Sequence, residues 1–169
     1  MYELKRLSKE AVPSALERAE RYRLLNEPHE AESICLDVLE VDPDNQQALK
    51  TLLLACTDGM TTNPISAYRK ALEVVPRLEG EYRQAYYNGL ICERRAKASL
   101  HGGGPASGFV AYDWFEKALK FFDRAIEIRP AGNDEALLRW NTCVRILKQD
   151  SSLRPEPEER FQPMMDSLE

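Results

Sequence analysis

The stretch His101-Gly102-Gly103-Gly104-Pro105-Ala106-Ser107-Gly108 is the first place where residue types suggest chemistry. Backbone N–H groups of a glycine-rich loop ahead of a helix can cradle a phosphate. That cradle needs a strand before it and a Lys-Ser or Lys-Thr pair after its glycines. Here the preceding segment patterns as a helix and no such pair follows, so the stretch is expected to break a helix and turn the chain. Cys35, Cys56, Cys92 and Cys143 form no Cys-x-x-Cys pair, and each falls within an apolar helical pattern, where a free thiol behaves as a small buried hydrophobe. His29 and His101 flank turns without a second ligand at metal spacing and are expected at the surface. Gly-x-Ser-x-Gly and His-Glu-x-x-His are absent, and acids such as Glu17 and Glu20 recur with Arg21 as helix-surface neighbours. No catalytic residue, cofactor or metal ligand is expected, and the chain is read as non-enzymatic.

The charge balance narrows the partner class. The net charge is −5, and residues 150–169, with six acids and two arginines, carry −4 of it. A nearly neutral body lacks the basic field that nucleic acid requires. No apolar run approaches the length of a membrane span, and the N-terminus lacks the apolar segment of a secretory signal. The expectation is a cytoplasmic protein with protein partners.

The elements that carry these residues repeat. "AESICLDVLEVDP" (residues 31–43), "PISAYRKALEVVP" (64–76) and "ALKFFDRAIEIRP" (118–130) align on a terminal proline. Each has a bulky or sulfur-bearing residue four positions in (Cys35, Tyr68, Phe122) and a small or branched one three further on (Val38, Ala71, Ala125), which puts them on one stripe of a helix. The proline ends each helix by driving its predecessor out of the α region. Partner helices are predicted over 15–25, 45–56, 81–100 and 133–147. Asn26-Glu27-Pro28 forms a turn, and Asn45 and Asn133 stand as candidate caps. In the last helix Leu137, Trp140 and Val144 are expected to face inward, with Arg139, Arg145 and Lys148 outside.

Helix pairs of about 34 residues with this pattern resemble the tetratricopeptide repeat. Ala19, Tyr22, Ala31 and Pro43 carry the resemblance in the first repeat, and Ala118, Phe122, Ala125 and Pro130 in the third. The interval from Pro43 to Pro76 is 33 residues, with Pro64 at a position where the family has alanine, and that from Pro76 to Pro130 is 54. The excess is assigned to an insertion over 97–112, with the next helix starting near Asp113 or slightly earlier. Phe109 and Tyr112 are expected either to extend that helix and pack on the body or to form a second contact surface.

The resemblance implies an all-α, right-handed solenoid of antiparallel helix hairpins, with seven helices in all. Three pairs (about 12–43, 46–76 and 79–130) and a capping helix (133–148) would make one domain over 1–148, followed by an acidic, proline-rich tail over 149–169. It also implies a concave groove that takes a peptide or helix segment, with Leu16, Glu20 and Arg23, then Lys50 and Leu54, then Tyr86, Tyr87 and Arg94, then Leu138 and Arg139 as lining candidates. A two-carboxylate clamp of the family would need Lys and Asn where Leu16 and Glu20 stand, so that set is incomplete here. The expected role is a protein-interaction adaptor or scaffold for an acidic, partly apolar segment. The alternatives are a secretion-type or assembly chaperone and a structural accessory subunit of an enzyme complex. The tail, with Leu153, Phe161, Met164, Met165 and Leu168 as apolar anchors, is long enough to occupy the groove itself or that of another copy.

Overall fold

In the computed structural model, which describes residues 2–157, the repeat pattern becomes seven α-helices: α1 (Val12–Leu24), α2 (Pro28–Val41), α3 (Gln46–Asp58), α4 (Pro64–Val74), α5 (Glu81–Gly102), α6 (Ser107–Glu127) and α7 (Glu135–Gln149). No strand occurs among the described residues. Short 3₁₀ turns at Lys9–Ala11, Gly59–Thr61 and Val75–Arg77 complete the elements.

Local chemistry sets most of the boundaries. Pro28 and Pro64 stand in the first turns of α2 and α4, where a missing N–H costs nothing. The side chain of Asn45 accepts from the Ala48 N–H at 2.9 Å and caps α3, and Asn63 does the same for α4 from Ser66 at 3.4 Å. Helix α1 stops at Asn26, whose φ is 61°. There the Glu27 N–H reaches the Tyr22 carbonyl and the Asn26 N–H that of Arg23, the paired closure in which a left-handed residue ends a helix. Asn133 differs from expectation. Helix α7 starts two residues later, and the Asn133 side chain instead accepts from the Glu135 N–H and the Tyr82 hydroxyl, each at 3.1 Å.

Each helix packs against the next along the chain, and α1, α3, α5 and α7 also touch in succession. The stripe residues Ala19, Ala31, Cys35, Val38, Ala71, Ala118, Phe122 and Ala125 have no exposed surface; small side chains at these points let the helix axes approach closely. The core has two parts. One is gathered by α1 to α4 with Ile91 and Ala98 of α5, and the other lies between α5, α6 and α7.

Three expectations are corrected here. The insertion over 97–112 is mostly helix: α5 runs on to Gly102 and α6 begins at Ser107, six residues ahead of Asp113, so only residues 103–106 turn the chain. Gly103 and Gly104, with φ of 67° and 103°, supply backbone that other residues resist. The added residues thus lengthen one hairpin to helices of 22 and 21 residues. Phe109 and Tyr112 lie in the first turns of α6, both half-buried. Second, the inward stripe of α7 is Ala136, Trp140, Cys143, Ile146 and Leu147, so Leu137 and Val144 sit one position off it. Third, the tail does not leave the body at 149. The Asp150 carboxylate accepts from the Ser152 N–H and hydroxyl, the Leu153 N–H bonds the Asp150 carbonyl, and Leu153 is buried in the second core. A Cβ on Gly108 would lie 2.4 Å from the Ser152 carbonyl oxygen, so the last glycine of the opening stretch makes room for the returning chain. Phe161, Met164, Met165 and Leu168 lie outside the described residues.

Candidate functional site

Two groups of polar contacts lie along the face where α1, α3, α5 and α7 touch in succession. The Thr51 hydroxyl donates to Glu20 Oε1 at 2.6 Å, and Arg23 Nη1 donates to Glu20 Oε2 at 3.1 Å. Arg23 Nε donates to Asp58 Oδ2 at 2.9 Å, and Arg94 Nη1 lies 3.7 Å from Asp58 Oδ1. One residue before Arg94, Glu93 is fully buried, with Lys97 at 2.5 Å and Arg139 of α7 at 3.4 Å from its Oε1. Burial opposes the charge of Arg139, yet Glu93 and the Tyr86 hydroxyl outweigh it and hold the guanidinium above its ordinary range. A buried carboxylate without such cations would be severely destabilised.

Between α3 and α5 the face opens into a pocket of about 250 Å³ lined by Gln46, Gln47, Lys50, Leu78, Arg83 and Tyr87. Gln46 is committed to the backbone: its amide donates to the Asp44 and Arg77 carbonyls and its oxygen accepts from the Glu79 N–H. Lys50 and Arg83 have no carboxylate within salt-bridge reach among the described residues. The Tyr87 hydroxyl is pushed up to about 12 by burial, with Tyr86 and Glu135 adding to the effect, so it is a hydrogen-bond donor at neutral pH. The pocket therefore presents two cations and a phenol beside the apolar wall of Leu78.

The expected lining residues divide accordingly. Arg23 bridges Glu20 and Asp58, which Arg94 also approaches, Arg139 meets both Glu93 and Tyr86, and Lys50 and Tyr87 share the pocket. Leu16 is instead part of the core at 8% exposure, because it faces α2 and α3 with Ala19. Leu54 is half-buried, and Leu138 is 63% exposed on α7. Thr51, Asp58, Arg83 and Glu93 were not anticipated. An acid in the last turn of α3 opposes the helix dipole, which is a sequence-level sign that Asp58 needs cations. Arg83 stands four residues before Tyr87, on the same face of α5.

The thiols are chemically quiet. All four are free and buried. Burial, the largest influence, pushes Cys35, Cys56 and Cys143 up to about 12 and Cys92 to about 11, so the nucleophilic thiolate is scarce at neutral pH. Among the described residues no group of three His, Cys, Asp or Glu side chains is placed to hold a metal ion, and no helix is long and apolar enough to cross a membrane. No protein-family model matches the chain, and no curated protein or solved structure does either.

Proposed function

We propose that the seven helices form a right-handed solenoid of helix hairpins of the tetratricopeptide type, with α1, α3, α5 and α7 on its concave side. The protein is then a non-enzymatic adaptor that holds a segment of another protein on that side. The succession of helix contacts and the fully buried small residues of the repeat stripe support the architecture. The pocket of Lys50, Arg83 and Tyr87 carries the binding role. Arg23, Arg94 and Arg139 are engaged by carboxylates of their own chain, whereas Lys50 and Arg83 have charge to offer a ligand. An acidic side chain would bond Lys50, Arg83 and the Tyr87 hydroxyl, while a neighbouring apolar one covers Leu78. A cytoplasmic setting belongs to the same proposal, since four unpaired thiols suit a reducing compartment.

The test is affinity purification from the source cell with the full chain and with a Lys50→Glu, Arg83→Glu variant. A protein that co-purifies in stoichiometric amount with the parent chain should be lost from the variant. Equal recovery on both would overturn the assignment of the pocket.

A further inference from the structure

The outer side of α4 and α6 carries an apolar surface that no described residue covers. Ile65, Tyr68 and Leu72 on α4 recur at three- and four-residue spacing, as do Val110, Trp114, Lys117 and Phe121 on α6. Ile65 is 72% exposed, Val110 44% and Phe121 38%. The two rows meet where the Tyr68 and Trp114 rings pack edge to face, with centroids 5.2 Å apart. Arg95 of α5 lies 6.0 Å from the Tyr68 ring and 5.9 Å from that of Trp114, and Lys117 Nζ stands 4.3 Å from the Trp114 centroid. Neither cation has a carboxylate within salt-bridge reach among the described residues. An acidic segment with bulky apolar side chains would satisfy both needs.

We propose that residues 158–169 of the same chain occupy this face. They supply Phe161, Met164, Met165 and Leu168, and four acids against one arginine. Where the described chain ends favours this occupant. Ser152 lies against Gly108, and the Arg154 guanidinium sits 5.9 Å from the Phe109 ring. The chain thus departs beside the first turn of α6, at the end where the Val110–Trp114–Phe121 row begins. That row is about 17 Å long, and twelve extended residues reach about 40 Å, enough to cross α6 and follow it. The cations over the aromatic rings would then meet tail carboxylates, and the methionines and Phe161 would cover Val110, Trp114 and Phe121.

Zero-length carbodiimide coupling, which joins a lysine only to a carboxylate in contact with it, tests this on the full chain mixed with a nitrogen-15-labelled copy. The expected product joins Lys117 to Glu158, Glu159, Asp166 or Glu169 within one isotopic species. A Phe161→Ser, Met165→Ser variant of the full chain should lower that product several-fold, while the Lys70–Glu32 product, from an ion pair at 2.5 Å, stays constant as the internal standard. Mixed-isotope products would mean that the face takes a second copy, and coupling of the tail to Lys50 would move it to the concave side. Lys117 joined only to acids of its own helix, or a yield unchanged in the variant, would mean the tail is not seated there. Any of these results overturns the proposal.

Discussion

The ring of Phe122 on α6 fills the space where a side chain on Gly89 of α5 would begin: a Cβ there would lie 2.6 Å from two carbons of the ring. Phe122 is fully buried, and the Tyr86 ring, three residues before Gly89 on α5, lies tilted against it with centroids 6.1 Å apart. The α5–α6 pair, the longest among the described residues, is therefore held close at this point by a glycine and a buried aromatic.

Gly89→Ala is expected to destabilise the fold by about 1–3 kcal/mol, the usual cost of overpacking, although alanine is the better helix former by about 1 kcal/mol. Chemical denaturation of the two chains measures it. An unchanged or raised midpoint would mean that α5 and α6 are not in this contact.

A second alanine probes the returning chain. At Gly108 the obstacle is the Ser152 backbone carbonyl at 2.4 Å, so Gly108→Ala must displace the turn at 150–153 and expose Leu153. Cleavage beside Leu153 by a leucine-directed protease should become markedly faster, with the helical signal retained. Equal cleavage rates would contradict the docking of Leu153.

Two ion pairs should differ in worth. Asp58 serves Arg23 and Arg94 on a face where its side chain is 18% exposed, whereas Lys70, paired with Glu32, is 49% exposed. Asp58→Ala strips a charged hydrogen bond from Arg23 and is expected to cost about 1.5–3 kcal/mol. Lys70→Ala should cost about 1 kcal/mol or less. Thermal unfolding of both variants under one buffer gives the comparison, and equal losses would contradict it.

The buried thiols give a pH dependence of definite sign. Burial raises the folded values from 9.0 to about 12 for Cys35, Cys56 and Cys143 and to about 11 for Cys92. The unfolded chain releases these protons near pH 9 and the folded chain holds them longer, so the unfolded state binds fewer protons in that window. Stability from this source is complete below pH 9 and falls as pH rises from 9 towards 12. Melting temperatures between pH 8 and 11 should show that fall. At pH 8 a thiol-specific disulfide reagent should leave the folded chain unreacted and titrate four thiols in denaturant. A fast-reacting thiol in the folded chain would contradict the burial.

Much of the helical framework was legible in residue spacing. Spacing marked Cys35, Val38, Phe122 and Ala125 as stripe positions of their helices, the repeat resemblance added Ala19, Ala31 and Ala118, and all seven are fully buried. Leu16, read as a groove residue, sits in the core at 8% exposure, since a helix stripe has two edges and spacing does not say which edge the neighbouring helix covers. Glu93, followed by Arg94, Arg95 and Lys97, has the pattern of an ordinary solvated face, yet α7 closes over it and brings Arg139 to its oxygen.

Periodicity, prolines and capping asparagines decide the number of helices, most of their ends and the residues they bury, since each acts within a turn or two of backbone. The opening glycine stretch marks what such signals leave undecided. The helices reach into it: Gly102 is the last residue of α5 and Gly108 the second of α6, although glycine is a poor helix former. That weakness is offset by the continuous interface between α5 and α6 and by the return of Ser152 and Leu153 against the start of α6, contacts that exist only when distant parts of the chain are brought together. The pairing of Arg23 with Asp58 and Arg94, and the two cations left over at Lys50 and Arg83, follow from the same long-range packing.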